Sequence, residues 1–383
     1  MNSINNISIK KQEECCGCSS CASICATKAI TMHLDILGFK YPVVDAAKCT
    51  NCGLCVKKCA FEKPIPIADF QQEYHALRHS NEDELLKSQS GAAFVILSDV
   101  VLEQGGVVYG AAFDDEFHVI HKRTTSSEER EELRYSKYTQ SDMEGCYKEV
   151  VNDLKNGILV LFTGTPCQVA AIKSFVPVRL HNNLLLVDII CHGVPSPQIW
   201  HDYLKYIENK YGKIKKAYFR DKRIGWNVQK ETFINVQGKE KCFITYKKLF
   251  YSHVCLRHSC YNCQFTSYNR CSDITISDFW GWEKISDRFK DNKGVSLCII
   301  NTNKGKRLFN SAAKEHFTQE VAKEDCVQPQ LIHPAKYNPN RENFEKDYKE
   351  KGFLYIAKKY SDLNFQTQFK YKLRKLKQVL IGK

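Results

Sequence analysis

Two copies of one cysteine pattern, lying between Cys15 and Cys59, constrain this chain more than any other feature. Both copies have the spacing C-x2-C-x2-C-x3-C, which binds pairs of 4Fe–4S clusters. In such runs three thiolates bind one cluster and the fourth cysteine binds the other. The spacing therefore predicts two crossed ligand sets, called here quartet I (Cys15, Cys18, Cys21 and Cys59) and quartet II (Cys49, Cys52, Cys55 and Cys25).

Other interpretations of these eight cysteines fit the pattern poorly. A zinc ribbon uses four ligands in two separated pairs and does not need four cysteines in each half. A disulfide framework requires an oxidising compartment. Ala26 and Ala60 stand where such runs usually carry proline, which removes no ligand. Cys16 is left over and is interpreted as a small buried side chain.

Composition indicates a globular protein that keeps its thiols reduced. The chain has 383 residues, of which 43% are hydrophobic and 26% charged, and it contains nineteen cysteines. The start from Met1 to Lys11 is polar and has no apolar leader, so the expected location is the cytoplasm. The longest apolar runs, such as Leu184 to Ile190, suit buried strands and are too short to cross a bilayer.

Much of the net charge of +13 lies at the C-terminal end. Residues 358–383 carry eight lysines and arginines against the single Asp362. Apolar residues recur there at helical spacing, which predicts a basic amphipathic helix: Phe369, Leu373, Leu376 and Leu380. Such a helix is expected to contact an anionic membrane surface, a partner or its own domain. No nucleic-acid-binding motif is present, so a nucleic-acid partner is not expected.

The remaining pattern predicts an α/β core behind the cluster domain. The segment Pro64-Ile65-Pro66 is interpreted as a stiff exit, which gives a cluster domain at 1–68. Strands predicted at 107–112, 158–163 and 184–190 alternate with helices predicted at 92–104, 143–155, 168–175 and 196–211. Further strands are predicted at 217–220, 231–235, 242–246 and 295–301. The larger domain is expected to cover 69–325, and 326–383 form a C-terminal extension.

Two strand ends carry unusual turns. The strand at 158–163 runs into 164–168 (GTPCQ), and the strand at 184–190 runs into 191–195 (CHGVP). Each turn combines glycine, proline and cysteine before a helix, where free backbone amides bind phosphate or a cluster. Ligands bind at strand ends in such cores.

Several motifs together resemble the coenzyme F420 hydrogenase/dehydrogenase beta-subunit family. They are Ser88–Gly91, Gly105–Gly110, Ser136–Ser141, the two cysteine turns, and Cys260–Cys263 followed by Asp273–Gly281. The resemblance implies an α+β or α/β architecture, in which a two-cluster ferredoxin-like domain is fused to an FAD-binding α/β domain. The last hundred residues match nothing in the family pattern.

The resemblance also implies the cofactor contacts, which are Ser90, Gly91, Lys137, Tyr138, Gln140, Ser141, Gly164 and Thr165. Lys137 is expected to neutralise a phosphate or the reduced flavin, and otherwise to be a solvated surface lysine. His192 is expected to relay a proton or to orient its turn. The family often has a second glycine where this chain has Ala92, and flavin is expected to bind less tightly if that position needs a close backbone approach.

Two ligand sets compete for a third 4Fe–4S cluster. The set implied by the resemblance is called here quartet III (Cys167, Cys191, Cys260 and Cys263). The other is local, would equally suit structural zinc, and consists of Cys255, Cys260, Cys263 and Cys271.

The leading hypothesis is an oxidoreductase that passes electrons between a ferredoxin-type carrier and an organic substrate or deazaflavin-type coenzyme through the clusters and FAD. Because clusters exchange single electrons and hydride donors exchange two, a flavin is expected between them. The substrate is expected to be a small molecule, with a glycan precursor among the candidates. The alternative is a non-catalytic electron-transfer subunit that feeds a redox partner, and an iron–sulfur sensor is less favoured.

Overall fold

The N-terminal cysteines lie in a small ferredoxin-like domain. The computed structural model describes residues 5–62 and 67–363. The domain contains helices α1 (Ser20–Ile24) and α2 (Leu54–Lys57) and the antiparallel strands β1 (Ile30–Leu34) and β2 (Lys40–Val44). The predicted exit at 64–66 falls outside the described residues.

The larger domain is built on one mixed sheet. Its remaining strands in the described residues are β3 (Glu73–Arg78), β4 (Val107–Phe113), β5 (Val119–Thr124), β6 (Val160–Gly164), β7 (Leu184–Ile189), β8 (Ile214–Tyr218), β9 (Glu231–Asn235), β10 (Glu240–Phe243), β11 (Ile274–Asp278), β12 (Ser296–Ile300) and β13 (Phe317–Glu320). Eight of them form a sheet in the order β13-β3-β12-β11-β7-β6-β4-β5. The pairs β11–β7, β7–β6 and β6–β4 are parallel, and antiparallel strands flank them. Strands β8 to β10 form a separate antiparallel sheet.

Helices cover the sheet. They are α3 (Glu82–Leu86), α4 (Ala93–Glu103), α5 (Ser127–Arg130), α6 (Cys146–Lys155), α7 (Pro166–Phe175), α8 (Pro197–Tyr211), α9 (Thr245–Tyr251), α10 (Asn303–Ala312) and α11 (Arg341–Tyr360). Helix α6 packs Tyr147 and Val150, and α7 packs Val169 and Ile172, into one core against the central strands. The prediction of a cluster domain fused to an α/β domain is confirmed.

The carboxyl ends of the parallel strands meet at one edge of the sheet. Strands β6 and β7 pair in register from Val160 with Leu184 to Gly164 with Asp188, and both are followed by the predicted cysteine turns. Strand β11 ends beside them at Asp278. Ligand sites are expected at this edge.

Most predicted elements lie within two or three residues of the observed ones, with one clear error. The run at 242–246 was predicted as a strand, but β10 ends at Phe243 and α9 begins at Thr245. Its β-branched and aromatic residues favour a strand. Burial at Tyr246, Leu249 and Phe250 follows the helical spacing instead, and tertiary packing decides.

The part of the C-terminal extension that is described packs on the rest of the chain. Phe344 and Ile356 of α11 are fully buried in a core that also contains Trp200 and Tyr203 of α8. The helix is interrupted at Gly352, where φ is +73°. The predicted amphipathic helix around 369–380 lies outside the described residues. Within 5–62 and 67–363, no helix has the length and apolar character that a bilayer span requires.

Candidate functional site

The side chains of quartet I gather on one side of the cluster domain. Burial raises the pKa of the Cys21 thiol, and the adjacent thiols of Cys18, Cys15 and Cys59 raise it further. Cys59 comes from the second cysteine run, yet it lies beside three cysteines of the first run, as crossed ligation requires. The crossed assignment stays a prediction, and this arrangement supports it.

Quartet II lies nearer the surface. Cys52 is exposed, and it is the only exposed thiol among the twelve predicted ligands, all of which fall in the described residues. Cys55 is buried beside Cys25 in the small core of the domain. The Asn6 amide lies 3.6 Å from Cys49 Sγ and donates to it. A cluster at quartet II would therefore be the one closest to an external partner.

The four cysteines of quartet III come together from three separate parts of the chain. Cys167 follows β6 at the first turn of α7, and Cys191 follows β7. Cys260 lies within a short 3-10 helix (His258–Asn262), and Cys263 directly follows that helix. Burial raises the pKa of Cys191 well above its ordinary value, and the thiols of Cys260, Cys167 and Cys263 add to the rise. All four line one pocket at the carboxyl edge of the sheet.

The competing local set does not converge. Cys255 is fully buried in the core around α8, where its thiol faces the Leu249 carbonyl. Cys271 is buried in the core between α6 and α7. No three His, Cys, Asp or Glu side chains of residues 5–62 and 67–363 are arranged to hold one metal ion. Structural zinc needs four ligands on one ion, whereas each thiolate of a 4Fe–4S cluster binds a different iron, so the arrangement favours quartet III.

Cys16 links the two deeper quartets. Its thiol lines the quartet III pocket, and hydrogen bonds to Cys167 and Cys18, together with burial, raise its pKa well above the ordinary value. Quartet I and quartet III therefore lie on either side of Cys16. The sequence interpretation treated Cys16 as a filler, because adjacency to Cys15 carries no signal of a contact with α7.

The loop from Ser88 to Ala92 is held in an unusual backbone conformation. Ser90 and Ala92 both have positive φ angles, +52° and +70°, which residues other than glycine rarely adopt. A Cβ atom at Gly91 would lie 2.0 Å from the Leu77 carbonyl oxygen, so only glycine fits there. Strained backbone of this kind clusters at functional sites. Ala92, where the family often has glycine, thus has the left-handed backbone conformation that glycine adopts most easily.

The polar groups of Ser90 and Gly91 are already used inside the protein. Ser90 Oγ donates to the Val295 carbonyl at 2.6 Å, and the Gly91 amide donates to Ser296 Oγ at 2.8 Å. Two buried polar atoms near this loop have no partner in the described structure: Gln89 Oε1 and Arg220 Nε. The Gln89 amide donates to the Arg220 carbonyl at 2.6 Å, which holds the two residues together.

Arg220 and Asp278 form a buried ion pair at the end of β11. Trp226 donates its indole N–H to Asp278 at 2.7 Å and stacks on Trp280 at 4.8 Å, and Trp280 is 41% exposed. Tyr138 lies beside this pair, since burial raises its pKa and Arg220 opposes the rise. A charged group next to a partly open aromatic face suits a planar, polar ligand.

His192 faces the same region. Burial lowers its pKa, and Asp278 is the charge that opposes this most. Its ring stands edge-on to Tyr251, with centroids 6.4 Å apart. The imidazole is therefore mainly neutral at pH 7, and it can both accept and donate a proton.

The other predicted contacts lie near quartet III. Gln140 and Thr165 line its pocket, and Gln140 Nε2 donates to the Cys16 carbonyl at 2.8 Å. Ser141 is one layer deeper, where it lies 2.8 Å from His121 Nδ1. Gly164 is the last residue of β6, against Gln168 of the next helix.

Lys137 points elsewhere. Its ammonium donates to the carbonyls of Glu132 and Arg134, at 2.9 and 2.6 Å. Burial lowers its pKa to about 7. The side chain is half-buried, so both predicted roles of Lys137 stay predictions. Two of the three N–H donors of its ammonium are therefore used inside the protein.

Three side chains at the site carry no local sequence signal. Cys16 and Arg220 are described above, and Arg257 is fully buried between the cluster domain and quartet III. The position of each depends on contacts between residues far apart in the chain. The aromatic neighbours of the two arginines, Tyr41 and Trp280, can be identified as partners only from the fold.

Two family comparisons cover different parts of the chain. Residues 14–63 match the 4Fe-4S dicluster domain. Residues 158–325 match the family described as the C terminus of the beta subunit of coenzyme F420 hydrogenase/dehydrogenase, so the match continues past Gly281, where the motifs found in the sequence end. The fold, the cysteine runs and these matches define an iron–sulfur protein of the oxidoreductase class.

The α/β domain is thus similar to the C terminus of coenzyme F420 hydrogenase/dehydrogenase beta subunits, and the N-terminal domain is similar to the 4Fe-4S dicluster domain. Among solved structures the chain is similar to a chain of the F420-reducing NiFe hydrogenase complex from Methanosarcina barkeri, at 19% identity and a TM-score of 0.48. That similarity covers 77% of this chain and 94% of the other. No curated protein sequence matches the chain.

Proposed function

We propose that this protein is an electron-transferring oxidoreductase that connects an external single-electron carrier with a flavin-dependent site in its α/β domain. The observation that carries the proposal is that Cys16, which directly follows Cys15 of quartet I, lines the same pocket as all four cysteines of quartet III. Groups bound by the quartets supply single-electron exchange, and FAD supplies the conversion between one-electron and two-electron chemistry.

The three quartets differ in their access to solvent. Quartet II contains the exposed Cys52, whereas no member of quartet I or quartet III is exposed. Quartet III lies at the sheet edge where the α/β core is expected to bind its ligand. This order supports a route from a partner at quartet II, through quartet I, to quartet III.

The fit of FAD to the α/β domain rests on unsatisfied polar atoms. Gln89 Oε1 and Arg220 Nε are buried without partners among residues 5–62 and 67–363, next to a loop strained at Ser90 and Ala92. Leaving such atoms unpaired is unfavourable, so a ligand that pairs with them would bind there. Gln89, Arg220 and the partly exposed Trp280 would hold the flavin, and the neutral His192 beside them would exchange a proton with it or with the substrate.

Anaerobic purification with iron, sulfide and flavin quantified per chain tests the proposal. We expect bound FAD that bleaches when a hydride donor such as NADPH or reduced coenzyme F420 is added. Gln89→Leu is expected to lose flavin and keep its iron, whereas Gln71→Leu, at an exposed glutamine, keeps both. Full iron content with no flavin in the wild type would refute flavin-dependent catalysis.

The second candidate is a subunit that feeds a partner and binds no substrate of its own. It is favoured by the internal hydrogen bonds of Ser90, Gly91 and Lys137, because these predicted contacts already donate to other groups of the protein. An iron-loaded, flavin-free chain that becomes reduced only when a partner protein is added would support this candidate.

A further inference from the structure

Arg257 carries a positive charge in a fully buried position. Its exposed fraction is 0%, and its guanidinium donates to the carbonyls of Cys15 and Lys40, to the Gln140 side chain and to Cys15 Sγ. Two aromatic rings stack on it, with Tyr41 at 4.2 Å and Phe39 at 5.4 Å from the guanidinium carbon.

None of these hydrogen bonds reaches a carboxylate. Asp35 lies close enough for the charge of Arg257 to act on its carboxylate, but the hydrogen bonds of that carboxylate come from the amides of Leu37 and Phe39, at 2.9 Å. A buried charge is unfavourable unless a charge of opposite sign compensates it. Neutral carbonyls and aromatic rings do this only in part.

The position of Arg257 indicates where the compensating charge lies. Its Nη2 atom is 3.6 Å from Cys15 Sγ of quartet I. Its backbone carbonyl accepts the amide of Cys260 at 3.0 Å, which ties it to quartet III, and its backbone amide donates to the Val194 carbonyl. Four thiolates make a bound 4Fe–4S cluster anionic, so clusters at both quartets would supply the missing charge.

Gly17 supplies the space that this arrangement needs. A Cβ atom at Gly17 would lie 2.6 Å from Arg257 Nη1 and 2.8 Å from its Cζ, and the φ of +65° also favours glycine. The first cysteine loop therefore approaches the guanidinium as closely as its backbone permits.

We propose that Arg257 is a positioning residue whose charge is the shared counter-ion of the clusters at quartets I and III. The inference rests on the proposed cluster ligation. Reduction adds one negative charge to a cluster, and a fixed positive charge nearby stabilises the reduced form. Arg257 then raises the reduction potential of the quartet I cluster and favours delivery of an electron to that position.

The test compares Arg257→Met, which removes the charge, with Arg257→Lys, which keeps it. Redox titration of the anaerobically purified full-length protein, followed by electron paramagnetic resonance, gives the midpoint potentials. At fixed ambient potential we expect Arg257→Met to lower the ratio of reduced to oxidised cluster about tenfold, or about 59 mV for one electron. Arg257→Lys is expected to stay within about threefold of the wild type.

Arg130→Met serves as a matched control. Arg130 is 3% exposed, but it pairs with Asp99 at 2.9 Å and lies away from the cysteines on α5. Its replacement should leave every midpoint unchanged. An iron-loaded Arg257→Met protein with unchanged potentials would overturn the inference, and so would an equal shift in the lysine variant.

Iron content covers the case in which the methionine variant does not retain clusters. Loss of iron in Arg257→Met but not in Arg257→Lys supports the counter-charge, and equal loss in both overturns it. A wild-type protein that lacks iron at quartets I and III after reconstitution overturns the proposed function itself. The two failures are thus distinguishable, because the second is visible before any substitution is made.

Discussion

Replacement of Cys167 by serine removes one predicted ligand from the point where the α/β core meets the cluster domain. Cys167 lies at the first turn of α7, its thiol is 3.2 Å from Thr165 Oγ1, and it hydrogen-bonds to Cys16. Serine is nearly isosteric and keeps both polar contacts. The fold should therefore survive, while the soft sulfur ligand that iron–sulfur clusters require is lost.

The expected magnitude follows from the three quartets. Full occupancy corresponds to about twelve iron atoms per chain, and loss of the quartet III cluster leaves about eight. Acid-labile sulfide should fall in the same proportion, by about one third. Quartets I and II lie in the ferredoxin-like domain with their own small core, so their content should not change.

Iron and sulfide are measured per chain after anaerobic reconstitution, with visible absorption as a second readout. Cys271→Ser is the matched control, because Cys271 is buried in a different core and belongs only to the competing ligand set. Unchanged iron in Cys167→Ser, or a loss of about four irons in Cys271→Ser, would refute quartet III and restore the local set.

Two further predictions concern stability. Ala92→Gly should stabilise the protein by about 1 kcal/mol in chemical denaturation, because it relieves the left-handed backbone at φ +70°. Ala93→Gly, at the first residue of α4, should give no such gain. A loss of stability in Ala92→Gly contradicts this account. Burial raises the pKa of Glu231 from 4.5 to about 8. Between these two values the folded state binds a proton that the unfolded state has lost. The contribution of Glu231 to stability is therefore fully present below pH 4.5 and is lost as the pH rises through 8. Thermal unfolding between pH 5 and pH 9 should show the wild type losing up to about 4 kcal/mol relative to Glu231→Gln, and parallel curves for the two proteins would show that this carboxyl is ionised throughout.

The parts of the fold that depend on local pattern were predictable. Strands β4, β6 and β7 are short apolar runs, and all three were found from the sequence within two residues. Strand β3 was missed because its charged ends, Glu73 and Arg78, interrupt the apolar pattern. Helix α9 was predicted as a strand because its neighbours in the core, rather than its own propensity, decide its conformation.

In the site, too, the features set by local sequence pattern were predictable and those set by tertiary contacts were not. The cysteine spacing predicted which thiols group together near the N-terminus, and the strand-end turns pointed to Cys167 and Cys191. The roles of Arg257 and Arg220 were out of reach, because a lone arginine in a sequence is usually interpreted as surface. Only the fold places Arg257 beneath Tyr41, more than two hundred residues away.

The hairpin between β1 and β2 inserts Leu37 and Phe39, both fully buried, into the core around α8, where the Gln198 amide donates to the Leu37 carbonyl at 3.1 Å. A cluster domain anchored in this way does not swing between donor and acceptor as a tethered carrier does. The distance from its cysteine quartets to the α/β domain is then fixed when the protein folds. An unrelated ferredoxin in the same place would lack Leu37 and Phe39, which anchor this domain in the core around α8.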